Sequence, residues 1–241
     1  MAIFGRIATD RSELAREFGR LSEIGNVRRG ASPGHKDGWG IVVYENGAPL
    51  YFGRSTNPAY LDEEYRQACR KITDSESVVM AHLRKRSVGA LSLENTQPLI
   101  CGKWSFGHNG TLYSPKFSQT GQSDSRLLFE ELVRAIEESK NRPVEEVIVE
   151  TIRSIRDEAL RNPGPNGRTY SSLTFMLSDG QSLYVLRDCT DDDYYYTMYY
   201  SEQSSGVVFC QEQISHAQWK LLENRELAIV DEESAMKRVK C

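Results

Sequence analysis

The alternation of apolar and polar positions predicts strands, then two long helices, then strands again, with one earlier helix near the start. Ile3, Phe4 and Ile7 read as a short strand beginning almost at the first residue. Asp10 followed three residues later by Glu13 gives a helix-cap signature. Leu14, Phe18, Leu21 and Ile24 then mark one helical face, which ends near Gly25. Residues 30–40, rich in Gly and polar side chains, read as a loop. Segments 39–44 and 49–53 flank Asn46-Gly47, a dipeptide suited to a two-residue hairpin turn. Strands are expected at 77–82 and 103–108, separated by a long polar stretch over 84–97. Ser123 and Asp124 can cap a helix whose apolar face uses Leu128, Leu132 and Ile136. Another helix starts at Pro143, with Val144, Val147, Ile148, Ile152 and Ile155 on its buried side. Beyond the turn-rich 162–167, strands are expected at 172–177 and 182–187, joined by Asp179-Gly180, and at 194–200 and 207–211. The acids and tyrosines of 191–196 read as a solvated loop entering a strand. No βαβ rhythm appears, so two antiparallel sheets with helices packed outside fit better than a parallel sheet.

Composition narrows the class. With 241 residues, 39% of them hydrophobic, the chain can bury a substantial core, as one large domain or two closely packed halves. A formal net charge of -4 gives no electrostatic case for a nucleic-acid binder, whose footprint is basic. No apolar run approaches the roughly 20 residues of a membrane span, and Met1-Ala2-Ile3-Phe4-Gly5-Arg6 lacks the pattern of a signal peptide. A soluble cytoplasmic protein is expected. Cys69, Cys101, Cys189, Cys210 and Cys241 are odd in number and show no CxxC spacing, so neither a disulfide framework nor a zinc site is indicated.

Four ordered segments carry the chemistry: Ile3-Phe4-Gly5, Asp37-Gly38-Trp39-Gly40-Ile41, the stretch from His82 to Gly110, and Ser123-Asp124-Ser125. Together they resemble the class II glutamine amidotransferases of the N-terminal-nucleophile hydrolase superfamily. The likeness is greatest to a stand-alone subgroup that includes the ergothioneine-pathway γ-glutamyl hydrolase. Weaker similarity runs through 171–187 and 207–230, so the resemblance spans nearly the whole chain. It implies an α+β fold, a four-layer αββα sandwich of two antiparallel sheets, formed by residues 1–241 as a single domain. It also implies amide hydrolysis of glutamine or a γ-glutamyl compound through a cysteine thioester, with no metal or organic cofactor. A separate protein would accept the ammonia.

In this family the initiator Met is removed, and a cysteine becomes the first residue. Its thiolate attacks the side-chain amide while its own α-amine serves as base. An α-amine titrates near neutrality, at about 7.7–8.0, and can move the proton without a histidine. Here the position holds Ala2, and a methyl group cannot attack a carbonyl. Ala2 is either an engineered replacement that traps substrate or a natural loss of catalysis. Ser12 and Thr9 stand too far along the chain to share the terminal amine.

The resemblance assigns the α-carboxylate of the substrate to Arg84, through a bidentate fork that lysine cannot reproduce, with Ser87 near the same carboxylate. Without the family, residues 84–86 read as a solvated basic turn. Asn109 and Gly110 match the oxyanion hole, a side-chain amide and a backbone N–H; a plain hairpin turn is the alternative. Asp124 matches the aspartate that receives the α-ammonium, a role compatible with helix capping. His82 reads as a packed, hydrogen-bonded residue and Trp39 as a core anchor, with the Asp37-Gly38-Trp39-Gly40 run shaping the pocket wall. Gln97 departs from the histidine usual in an Asn-Thr-His-Pro turn, and Ser125-Arg126 from the usual Thr-Glu. A second reading keeps the binding residues without the chemistry: a catalytically dead subunit that senses a γ-glutamyl ligand or steadies a partner.

Overall fold

The computed structural model describes residues 11–72, 78–86, 90–118, 121–191, 194–203, 206–215, 218–231 and 236–241, and the backbone of residues 2–4. The chain opens with β1 (Ala2–Phe4), α1 (Arg11–Ile24), the hairpin of β2 (Trp39–Glu45) and β3 (Ala48–Ser55), and α2 (Glu63–Arg70). Then come β4 (Val78–Leu83), β5 (Leu99–Cys101), β6 (Trp104–Asn109), α3 (Asp124–Glu138) and α4 (Val144–Arg161). The last strands are β7 (Thr174–Ser178), β8 (Leu183–Arg187), β9 (Tyr199–Gln203), β10 (Gly206–Cys210), β11 (Lys220–Leu221), β12 (Glu226–Val230) and β13 (Lys237–Lys240).

These strands form two sheets, ordered β11-β9-β10-β1-β4-β2-β3 and β13-β12-β8-β7-β6-β5, and every pairing is antiparallel. Alternation along each strand sorts the apolar side chains into three cores. Val42, Tyr44, Val78, Met80 and Phe209 of the first sheet meet Met176, Val185 and Ala228 of the second. On the other face of the first sheet, Ile41, Val43, Val79 and Ala81 pack on Leu14, Phe18, Tyr65 and Ala68 of α1 and α2. The outer face of the second sheet sets Phe106, Phe175 and Leu186 against Leu128, Leu132, Ile148 and Ile152 of α3 and α4. The result is the expected αββα sandwich.

Local chemistry explains the joints. Asn46 and Gly47 both take positive φ, 51° and 76°, as the tight hairpin between β2 and β3 requires. Ser123 caps α3, its Oγ accepting from the Arg126 N–H at 3.3 Å. Phe106 of β6 stacks on Phe129 of α3 with ring centroids 5.1 Å apart, which fixes the helix over the strand.

Some expectations need correction. Ile24, the last residue of α1, is 61% exposed and does not extend the buried face of Leu14 and Phe18. The Asp10 cap falls outside the described residues. The strand expected over 194–200 begins only at Tyr199, and the run before it is not simply solvated. Tyr196 is buried, and its hydroxyl donates to Ser171 Oγ at 2.9 Å. The short strands β5, β11 and β13 and the helix α2 carry too little apolar periodicity to be foreseen; α2 presents only Tyr65, Ala68 and Cys69 to the core. Among the described residues, no helix is long and apolar enough to cross a membrane, and no group of His, Cys, Asp or Glu is arranged to hold a metal ion. All five cysteines are free thiols.

Candidate active site

Strands β4 and β6 end close together between the two sheets, and the residues that follow them build a cleft. The Arg84 N–H donates to the Gly38 carbonyl at 2.8 Å, and the Asp37 N–H donates to the Arg84 carbonyl at 2.9 Å. The chain leaving β4 is thereby tied to the segment entering β2. Asp37 also accepts the Arg86 N–H through Oδ2 at 2.8 Å, so the Asp37-Gly38 turn holds the basic run in place. The Arg84 side chain is buried, with Nη2 donating to the Ala90 carbonyl at 2.9 Å and Nη1 to that of Ser92 at 3.5 Å. Burial lowers its pKa and the Asp37 charge opposes that shift; a guanidinium stays cationic throughout. Its remaining donors have no partner among the described residues.

The second wall is organised by His108. Its Nε2 lies 3.1 Å from the Ser172 carbonyl, an acceptor only, so Nε2 carries the proton. Nδ1 then accepts from the Ser125 hydroxyl at 2.9 Å. Burial lowers the pKa of this imidazole, against the opposing influence of Asp124, and favours the neutral ring. The His108 backbone N–H donates to Gln97 Oε1 at 2.6 Å. One residue thus joins β6, the first turn of α3, the strand-entry segment at Ser172 and the Gln97 turn.

Asn109 and Gly110 follow directly. The Asn109 side chain is half-buried and bonds no other described residue. Gly110 must be glycine here: a Cβ would overlap the Ser172 carbonyl oxygen and stand 2.7 Å from His108 Nε2. Asp124, the first residue of α3, accepts the Leu112 N–H through Oδ2 at 2.9 Å.

Arg84, Asn109, Gly110 and Asp124 all line one solvent-open cleft of about 680 Å³, counted with the solvent at its mouth, with His82, Gln97, Ser125, Tyr195 and Gln211 among the other residues of its walls. Four of the residues singled out in the sequence therefore converge. The fifth, Ala2, is placed by strand register: β1 runs in the middle of the first sheet, with Ala2 opposite Ala81 and Cys210. The next residues along those two neighbouring strands, His82 and Gln211, line the cleft. Ser87 lies outside the described residues.

His82 departs from expectation. It is buried, but among the described residues its Nδ1 has no hydrogen-bond partner, and burial pushes its pKa well below the usual imidazole value. Trp39 is the expected core anchor, edge-on to Tyr65 at 5.1 Å, with Nε1 donating to Asp62 Oδ2 at 2.9 Å. Sequence reasoning missed Ser172, which belongs to no motif, and the bonding role of Ser125, which the Ser123-Asp124-Ser125 segment contains without revealing its partner. It placed Gln97 in a turn, but that side chain also reaches across to β6, and the Gln97-Pro98 peptide is cis.

A family model for the class-II glutamine amidotransferases matches residues 21–202. The chain belongs to this family. Among relatives of the amidotransferase domain, the Escherichia coli protein YafJ, whose name assigns it to the glutamine amidotransferases, is 30% identical over 190 residues, covering 73% of this chain and 70% of its own. The curated relatives it matches are spanned over 57% to 70% of their length. Among solved structures, a glutamine aminotransferase class-II domain protein from Silicibacter pomeroyi superposes with a TM-score of 0.64 at 16% identity, covering 99% of this chain and 97% of that one. The glutamine phosphoribosylpyrophosphate amidotransferase of Bacillus subtilis gives a TM-score of 0.62 at 17% identity, covering 99% of this chain and 48% of that one. Both share the fold of this amidotransferase domain.

Proposed function

We propose that the cleft is a γ-glutamyl pocket that binds its ligand and, with Ala2 at the nucleophile position, does not cut it. The convergence of Arg84, Asn109, Gly110 and Asp124 on one cleft supports this reading. Arg84 supplies a cation for an α-carboxylate, and Asp124 supplies an anion for an α-ammonium. A free amino acid carries both groups on one carbon, and this pair of opposite charges fits it. The amide at the far end of the side chain then reaches Asn109 and Gly110.

In a cysteine-bearing form, the thiolate at position 2 would attack the amide carbon while the terminal α-amine takes the thiol proton. The carbonyl oxygen gains negative charge and is met by the Asn109 side-chain amide and the Gly110 N–H. Collapse returns the proton to the leaving nitrogen and releases ammonia or an amine, leaving a γ-glutamyl thioester. Water then frees glutamate. His108 takes no proton in this scheme; its neutral ring holds the oxyanion donors in register with α3. Any ammonia acceptor belongs to a separate protein.

Calorimetry of the Ala2 chain with glutamine and γ-glutamyl amides tests the binding half. Saturable heat from at least one of them is expected, and no heat from any would overturn the pocket assignment. The second reading, a γ-glutamyl-sensing or scaffolding subunit, is supported by the intact binding residues beside Ala2. It predicts that binding persists while a cysteine at position 2 confers no turnover.

A further inference from the structure

The cleft continues past the oxyanion residues. A second cavity, open to solvent and about 520 Å³ when the solvent at its mouth is counted, shares Asn109 and Gly110 with the first, and Lys85, Arg86 and Tyr195 with it as well. Arg84 and Asp124 line only the first cavity, while Arg28 and Tyr196 line only the second. The two therefore meet at the position assigned to the scissile amide. With the glutamyl moiety held on the Arg84 and Asp124 side, the nitrogen substituent beyond the amide has the second cavity to enter.

That cavity is cationic. Arg28, Lys85 and Arg86 contribute to its walls, and none of the three forms an ion pair with a carboxylate among the described residues. Lys85 spends one donor on the Ser32 carbonyl at 3.0 Å. Arg28 is seated on aromatic rings, its guanidinium carbon 5.2 Å from the Tyr196 centroid and 6.0 Å from that of Tyr195. Tyr196 is itself anchored through Ser171, so this cation rests on a fixed platform. A neutral or cationic substituent would leave three charges unmatched, whereas a carboxylate or phosphate can be met by the arginine forks.

We propose that this cavity is a leaving-group subsite for an anionic amine, so that the preferred ligand is a γ-glutamyl amide whose nitrogen substituent carries a carboxylate or phosphate. The inference rests on the γ-glutamyl reading of the first cavity. It assigns Arg28, Lys85 and Arg86 to specificity, and makes free glutamine, which leaves this cavity empty, a poorer ligand.

Titration calorimetry of the Ala2 chain with four probes decides it: glutamine, neutral γ-glutamyl ethylamide, γ-glutamylglycine and γ-glutamyl phosphoethanolamine. One or both anionic probes should bind at least tenfold tighter than the ethylamide, and Arg28→Gln and Arg86→Gln should each reduce that ratio severalfold. Raising the salt concentration should also shrink it. Which of the two anionic probes binds tighter identifies the anion. Equal affinity for anionic and neutral amides, or a ratio unmoved by both substitutions, would overturn the subsite while leaving the glutamyl pocket standing. Absence of binding by all four would remove the pocket reading itself, and the subsite with it.

Discussion

Replacing Gly110 with alanine tests the geometry on which the oxyanion assignment depends. The added Cβ would stand 2.6 Å from the Ser172 carbonyl carbon and 2.7 Å from His108 Nε2, where ordinary contact begins at 3.4 Å. Moving the carbonyl carbon by about 0.8 Å would not suffice, because the Ser172 oxygen lies closer still and must move by about 1.5 Å; the atoms in the way are backbone and an imidazole held by two hydrogen bonds, neither of which can swing aside. Overpacking of this kind costs about 1–3 kcal/mol. Loss of the 3.1 Å bond between His108 Nε2 and Ser172 adds roughly 0.5–1.5 kcal/mol. A total of about 1.5–4.5 kcal/mol corresponds to a fall in Tm of roughly 3–18 °C for a chain of this size. Gly102→Ala is the control: Gly102 has φ +57° but nothing within 4 Å of its would-be Cβ, so only the cost of the backbone conformation, on the order of 1 kcal/mol, is expected. Thermal unfolding followed by circular dichroism measures both. If Gly110→Ala loses no more than Gly102→Ala, the tight Gly110–Ser172–His108 packing does not exist in solution, and the placement of the oxyanion donors fails with it.

Two further outcomes follow from the same site. Arg84→Lys keeps the charge but loses the planar fork, so glutamine or γ-glutamyl affinity should fall about tenfold or more by calorimetry, roughly 1.4 kcal/mol; unchanged affinity would remove Arg84 from the ligand. His82 and His108 both have folded-state pKa values lowered from 6.5 by burial, so stability is full above pH 6.5. Below it the unfolded chain binds protons that the folded chain refuses, and stability drops by up to about 1.4 kcal/mol per pH unit for each histidine until the folded pKa is reached. Urea unfolding at pH 7.5, 6.5 and 5.5 should show this loss, and a flat profile would contradict the buried neutral state.

The layer order was legible because apolar periodicity is strong where strands and helices are buried on a defined face, as in β2, β4, α3 and α4. Asn46-Gly47 announced its hairpin because both positions need positive φ. Short edge strands such as β11 and β13 were not legible, since exposed residues like Lys220, Lys237 and Arg238 carry no alternation. Arg84, Asn109, Gly110 and Asp124 were found through motif resemblance, and residues 84–86 by themselves still resemble a basic turn. What sequence could not supply was the wiring: that His108 would bridge Ser125, Ser172 and Gln97 depends on contacts between residues 11 to 64 positions apart. The reading of 191–196 as a solvated loop holds for Asp191 and Tyr194, which are exposed, and misses Tyr196, which tertiary packing buries, and Tyr195, which lines the cleft.

The central claim is that Ala2 alone separates this pocket from an amide-cutting one. Ala2→Cys, with removal of Met1 verified by mass, should release ammonia or an amine together with glutamate from glutamine or a γ-glutamyl amide, while the Ala2 chain releases neither. A folded, ligand-binding Ala2→Cys protein that forms no glutamate from any of these compounds would contradict it.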